Sequence, residues 1–247
     1  RGVPFANKRS IHGDIPEKQE AFAIKSDIPD PGLFLAEYFS GYLKENGIKI
    51  KGEATTARLS SQRPKSETLL AVTESVPLSE IVSVLLSRSD NHYAEHLFQI
   101  TQTEKGMTIS EFWKNKGLNT NPLSMKDGSG LSPQDTVSAR FLTDVLTYMN
   151  HENGLSANYK SLFPVAGKDG TVASFLKNTP LDGKAYIKSG SMSGIQSYAG
   201  YVEKDGKDYA FALVVNHWNG SRAELRTYME KLLIDVFAPA QAVKKPA

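Results

Sequence analysis

Tyr186-Ile187-Lys188-Ser189-Gly190-Ser191-Met192-Ser193-Gly194 is the stretch on which the fold turns. It places a lysine, several hydroxyls and two glycines on what reads as a strand edge. A Lys-Ser-Gly triplet on a strand suits recognition of a carboxylate. The ammonium supplies charge, the hydroxyl a directed hydrogen bond, and glycine lets a bound backbone come close. The strand so defined, near 184–191, is followed by two more near 196–203 and 207–217, joined by the hairpin turn Lys204-Asp205-Gly206. Tyr209 to Val215 is almost continuously apolar, which predicts a central strand covered on both faces. Ser221 and Glu224 form a capping box opening a last helix, with Leu225, Tyr228, Met229, Leu232, Leu233, Val236 and Phe237 as its buried stripe.

Upstream the chain is helical. Asp30-Pro31 opens a helix with the apolar stripe Leu33, Phe34, Tyr38, Phe39, Tyr42 and Leu43, and Gly47 stops it. Ile48 to Gly52 alternates like a strand. A second helix is predicted from about Leu78 to Ser87. After a break at Ser87-Arg88-Ser89-Asp90, another runs to about Ile100. It buries Tyr93, Ala94, Leu97 and Phe98 and shows His92, Glu95, His96 and Gln99 on its other side. A short helix covers 109–116, Lys126-Asp127-Gly128-Ser129-Gly130 is a glycine-rich turn, and Ser138 caps a helix whose core face is Phe141, Leu142, Val145, Leu146 and Met149. Helices packed on an antiparallel sheet, in one domain, make an α/β fold of the α+β type.

Composition narrows the function classes. The chain has 247 residues, 40% hydrophobic and 23% charged, ordinary for a globular protein with a real core. With 29 basic against 27 acidic residues there is no nucleic-acid footprint. No apolar run approaches the roughly 18 residues of a membrane-spanning helix. The absence of cysteine excludes disulfides, thiolate metal sites and cysteine nucleophiles.

Two groupings carry chemistry. Ser89-Asp90-Asn91 lies at a helix break, where side chains can face a cleft; as a bare triplet it reads equally as a cap for the following helix. Its pairing with Lys188-Ser189-Gly190, 99 residues downstream, favours the cleft. His92-Tyr93-Ala94-Glu95-His96 reads as His-x-x-Glu-His, a pattern of zinc metallopeptidases, and also as the wet side of an amphipathic helix.

The chain resembles the serine penicillin-recognising enzymes, in particular the D-alanyl-D-alanine carboxypeptidase/endopeptidases (class C low-molecular-mass penicillin-binding proteins). The resemblance rests on Leu85 to Glu95, on Asp127-Gly128-Ser129-Gly130-Leu131-Ser132, on Gly167-Lys168-Asp169-Gly170-Thr171 and on Lys188-Ser189-Gly190, and runs from about Gly13 to Phe237. It implies a penicillin-binding transpeptidase/β-lactamase-like fold. Ser89 would relay a proton between a catalytic lysine and the leaving amine, and Asn91 would hold that lysine and the substrate amide. Lys188 would supply positive potential and Ser189 would bind the terminal carboxylate, beside Gly190. The N–H of Ser191 would be an oxyanion-hole donor, with Met192 and Ser193 against the substrate side chain. It implies no cofactor. The partners would be peptidoglycan stem peptides and β-lactams, and the location the periplasm or cell envelope.

The family nucleophile, the serine of Ser-x-x-Lys, has no counterpart before Ser89; the one such motif is Ser174-Phe175-Leu176-Lys177, in a segment that matches a non-catalytic part of the family. With Arg1 as its first residue, the chain therefore reads as a cut section of a longer protein. Residues 1–12 would end a preceding inserted region, 13–238 would be the C-terminal section of the catalytic domain, and 239–247 a flexible tail. A non-catalytic binding module of the same fold is the other reading of the missing motif. Pro133 stands where many relatives carry an arginine, which leaves the side-chain preference open.

Overall fold

The structure is a computed structural model that describes residues 5–6, 10–18, 21–24, 26–60, 68–69, 71–121, 123–151 and 159–238. The expected tail, 239–247, lies outside the described residues. The chain divides into two compact units, Arg1–Thr73 and Glu74–Ala247, so the single packed body expected from the sequence is confined to the second.

The first unit contains helix α1 (Pro31–Glu45) and the single turn α2 (Ala57–Ser60). The Asp30 carboxylate accepts the Leu33 N–H at 3.1 Å, and Pro31 takes the first helical position. Gly47, at φ +78°, ends the helix. The Ile48 N–H then reaches back to the Leu43 carbonyl at 3.0 Å, which closes the helix end. That bond explains a correction: Ile48–Gly52 is no strand, because its first amide belongs to the helix stop and no described neighbour offers a ladder. The stripe of α1 is exposed, Tyr38 by 68%, and no described residue of this unit is buried.

The second unit holds the core. Helices α3 (Leu78–Arg88), α4 (Asn91–Lys105), α5 (Ile109–Asn115) and α6 (Ala139–His151) precede the sheet, and α7 (Arg222–Phe237) follows it. Short 3-10 turns lie at Lys160–Leu162 and Gly170–Val172. The sheet is antiparallel in the order β1 (Ala185–Met192), β2 (Ile195–Lys204), β3 (Lys207–Asn216). Asp205 and Gly206, at φ +52° and +70°, make the tight turn between β2 and β3. Alternation along the strands gives the sheet two different faces. Ala185, Ile187, Tyr198, Val202 and Phe211 pack with Phe175, Leu176, Met229 and Leu233 on the α7 side. Tyr201, Tyr186, Ala199 and Ala210 face Leu86, Leu146 and Phe163 on the α3 and α6 side.

Three expectations about burial need correcting. The central strand is β2, not the more apolar β3; only Phe211 of β3 is buried, and Tyr209 is 40% exposed. An apolar run measures how much could be covered, whereas strand order decides what is. On α7, Met229 and Leu233 are buried but Tyr228, Leu232 and Val236 are exposed; Tyr228 and Leu232 each precede a buried residue and so point about 100° away from it, whereas Val236 lies on the side of Met229 in the last turn of the helix. On α4, Phe98 is buried and Tyr93 is exposed, for the same rotational reason.

Candidate active site

The break between α3 and α4 is built by Ser89 and Asp90 with different jobs. Ser89 ends α3 in the left-handed conformation, φ +56°, ψ +52°, and its N–H returns to the Leu85 carbonyl. A serine in that region is uncommon, and such strain concentrates at functional positions. Asp90 supplies the cap, its carboxylate accepting the Tyr93 N–H at 3.0 Å. The capping role in the triplet thus falls to Asp90, which leaves the Ser89 hydroxyl free to reach elsewhere. It accepts a 2.7 Å hydrogen bond from the Lys188 ammonium. Lys188 also donates to the Ser189 carbonyl. Burial pushes the Lys188 ammonium below the usual lysine range.

Strand alternation puts Lys188 and Ser189 on opposite faces of edge strand β1. Lys188 and Ser89, bonded to each other, line a cavity of about 460 Å³ together with Asn91, Ser189, Gly190 and Met192. Ser189 faces the α7 side, where its hydroxyl lies 2.7 Å from that of Thr171. Ser89, Ser189 and Ser191 border both this cavity and a second one on the α7 side. Ser193 lies in the turn between β1 and β2 and lines neither cavity.

The opposite wall of the cleft is the turn Asp127 to Ser132. Burial raises the Asp127 carboxyl, but hydrogen bonds from Ser129, Ser132, Leu131 and Gly130 outweigh it and hold the group below its ordinary value. Glu95 ties this turn to α4 by accepting the Gly128 N–H at 2.7 Å. Bonds from Gln99 and Gly128 keep its carboxyl below the usual carboxylate range. Gly128 is required there, since a Cβ would lie 2.4 Å from Phe98 Cβ and 2.5 Å from the Ala94 carbonyl.

That bond redirects the His-x-x-Glu-His pattern. Glu95 is engaged with the turn, while His92 and His96 are exposed. Among the described residues no cluster of three or more histidine, aspartate or glutamate side chains is placed to hold a metal. Ser174 accepts from Arg226 at 3.0 Å; a guanidinium cannot act as the base a nucleophilic serine needs. Sequence reading gave no role to Thr171 or to Arg222, which donates to the Ser191 hydroxyl at 2.5 Å. The signal available for Thr171 was its place in the Gly170-Thr171 motif; Arg222 had none.

The chain is 25% identical over 234 residues to the D-alanyl-D-alanine carboxypeptidase DacB of Haemophilus influenzae, covering 90% of this chain and 48% of that protein. It is 27% identical over 228 residues to the D-alanyl-D-alanine carboxypeptidase of Actinomadura sp. (strain R39), covering 87% and 42%. The chain therefore spans about half the length of these curated relatives. The crystal structure of penicillin binding protein 4 (dacB) from Haemophilus influenzae, complexed with a novel β-lactam, superposes with a TM-score of 0.73 at 25% identity, over 83% of this chain and 50% of that one. The match to the family profile extends from residue 3 to residue 236, and the chain belongs to the D-Ala-D-Ala carboxypeptidase 3 (S13) family.

Proposed function

We propose that the protein carrying this chain is a serine-type D-Ala-D-Ala carboxypeptidase and DD-endopeptidase of peptidoglycan, inhibited by β-lactams and working outside the cytoplasm. In this reading residues 13–238 are the C-terminal section of the catalytic domain, residues 1–12 end an inserted region, and the Ser-x-x-Lys pair comes from chain outside this one. The observation that carries the proposal is the 2.7 Å bond between Lys188 and Ser89, which joins two family motifs across the cleft.

The serine of the incoming pair gives its hydroxyl proton to the lysine of the pair and attacks the penultimate carbonyl carbon, forming a C–O bond. The N–H of Ser191 donates to the oxyanion, a contribution worth roughly a hundred- to thousandfold in rate. The C–N bond then breaks as Ser89 passes a proton from the lysine of the pair to the leaving amine. Lys188, held against Ser89, keeps the hydroxyl oriented and the local potential positive. Asn91 holds the incoming lysine and the substrate amide, Ser189 meets the terminal carboxylate, and Met192 and Ser193 border the acyl side chain. Water completes the cycle by hydrolysing the acyl-enzyme.

The test is covalent labelling with a fluorescent penicillin. This chain alone should take no label, whereas the longer protein, or the chain joined by a segment bearing Ser-x-x-Lys, should. A stable adduct mapped to Ser174 in the isolated chain would overturn the assignment.

A further inference from the structure

Ser89, Ser189 and Ser191, which act in the steps above, line a cavity of about 540 Å³ on the α7 face of the sheet whose two arginines have no part in them. Ser189 and Ser191 border it from β1, Thr171 from the 3-10 turn, and Arg222 and Arg226 from the start of α7; no carboxylate lines it. Arg222 donates to the Ser191 hydroxyl at 2.5 Å and to the Met192 carbonyl at 3.0 Å. Arg226 donates to Ser174 at 3.0 Å and, at 3.4 Å, to Glu230, a carboxylate that also accepts the Leu176 N–H. A guanidinium has five N–H donors, so both arginines keep donors beyond these bonds. Among the described residues Arg222 has no carboxylate partner. Two like charges one helical turn apart repel each other unless an anion lies between them.

We propose that this cavity is a second anion subsite, taking a side-chain carboxylate of the leaving group in addition to the terminal carboxylate at Ser189. The inference rests on the hydrolase reading above and narrows it: the favoured substrates are amides whose leaving amine carries two carboxylates. Ser189 and Ser191 sit on the same strand face about 7 Å apart, so the two anions must be separated by a side chain. Hydroxyls of Ser189 and Thr171 suit the first carboxylate. The planar forks of Arg222 and Arg226 suit the second.

Product binding tests this without needing the nucleophile. Titrating the chain with free D-glutamate and free D-alanine, followed by NMR, should show D-glutamate binding about tenfold more tightly. Arg226→Gln, which does not touch β1, should erase most of that preference, and Arg226→Lys should restore part of it. Arg222→Gln should do the same, with circular dichroism checking that the strand it holds stays folded. Equal affinity for the two amino acids, or equal weakening of both in Arg226→Gln, would overturn the subsite. Failure of the longer protein to take a penicillin label, with D-glutamate preference intact in the chain, would instead remove the hydrolase assignment and leave the anion site standing.

Discussion

At the scale of single residues, Lys188 and Ser189 are neighbours with separate tasks, because a strand turns successive side chains to opposite faces. In the active longer protein, Ser189→Ala should slow acylation by carboxylate-bearing substrates about ten- to 150-fold and spare a thioester that lacks the carboxylate. Second-order acylation rates for the pair measure this; equal losses would mean that Ser189 does not read the carboxylate. Lys188 has a consequence for stability as well. Burial lowers its proton affinity in the fold, and among the described residues no carboxylate offsets it. Between the lowered value and the ordinary lysine value the unfolded chain holds a proton that the folded chain has released. Stability must therefore rise with pH through that window. Lys188→Met in this chain should match or exceed the wild-type melting temperature at neutral pH, and should show a flatter rise toward alkaline pH. A lower melting temperature at neutral pH would mean that the bonds to Ser89 and the Ser189 carbonyl outweigh the desolvation.

At the scale of elements, the position of β1 is what brings Lys188 to Ser89, and β2 holds β1 in place. β1 leaves no room for a side chain at Gly200, where a Cβ would stand 1.9 Å from the Tyr186 carbonyl oxygen and 3.0 Å from Ile187 Cα. Both are backbone atoms and cannot swing aside. Gly200→Ala should therefore cost roughly 3 kcal/mol in urea unfolding, and should weaken penicillin labelling of the longer protein by shifting the Lys188 strand. A loss within experimental error would show that the two strands can separate there at little cost. The other wall depends on a smaller joint. Glu95 and Gly128 link α4 to the cleft turn, and this bond draws the helix's glutamate away from its histidines.

At the scale of the whole molecule, every buried residue described lies in the second unit, from Phe98 to Leu233. Amide hydrogen exchange should follow this division, with the slowest amides in β2 and its β1 partners. The amides of α1 should exchange near the rate of a locally fraying helix; protection there equal to that of β2 would show that the first unit has a core of its own. No described helix is long and apolar enough to cross a membrane. The sequence by itself determined most of the long helices, the three strands and several caps. Asp30-Pro31, the Ser221–Glu224 box and the Asp205-Gly206 turn are local devices, made by residues a few positions apart. It also determined the motif pair, since residue type and order are enough to recognise Ser89-Asp90-Asn91 and Lys188-Ser189-Gly190. Only the tertiary structure decided which strand is central, which side of α4 and α7 is covered, and that Glu95 serves a turn 33 residues away. The reason is physical. Capping and turn formation depend on dihedral angles and short-range hydrogen bonds, whereas burial and the meeting of Arg222 with Ser191 depend on how strands and helices stack, which no local pattern encodes.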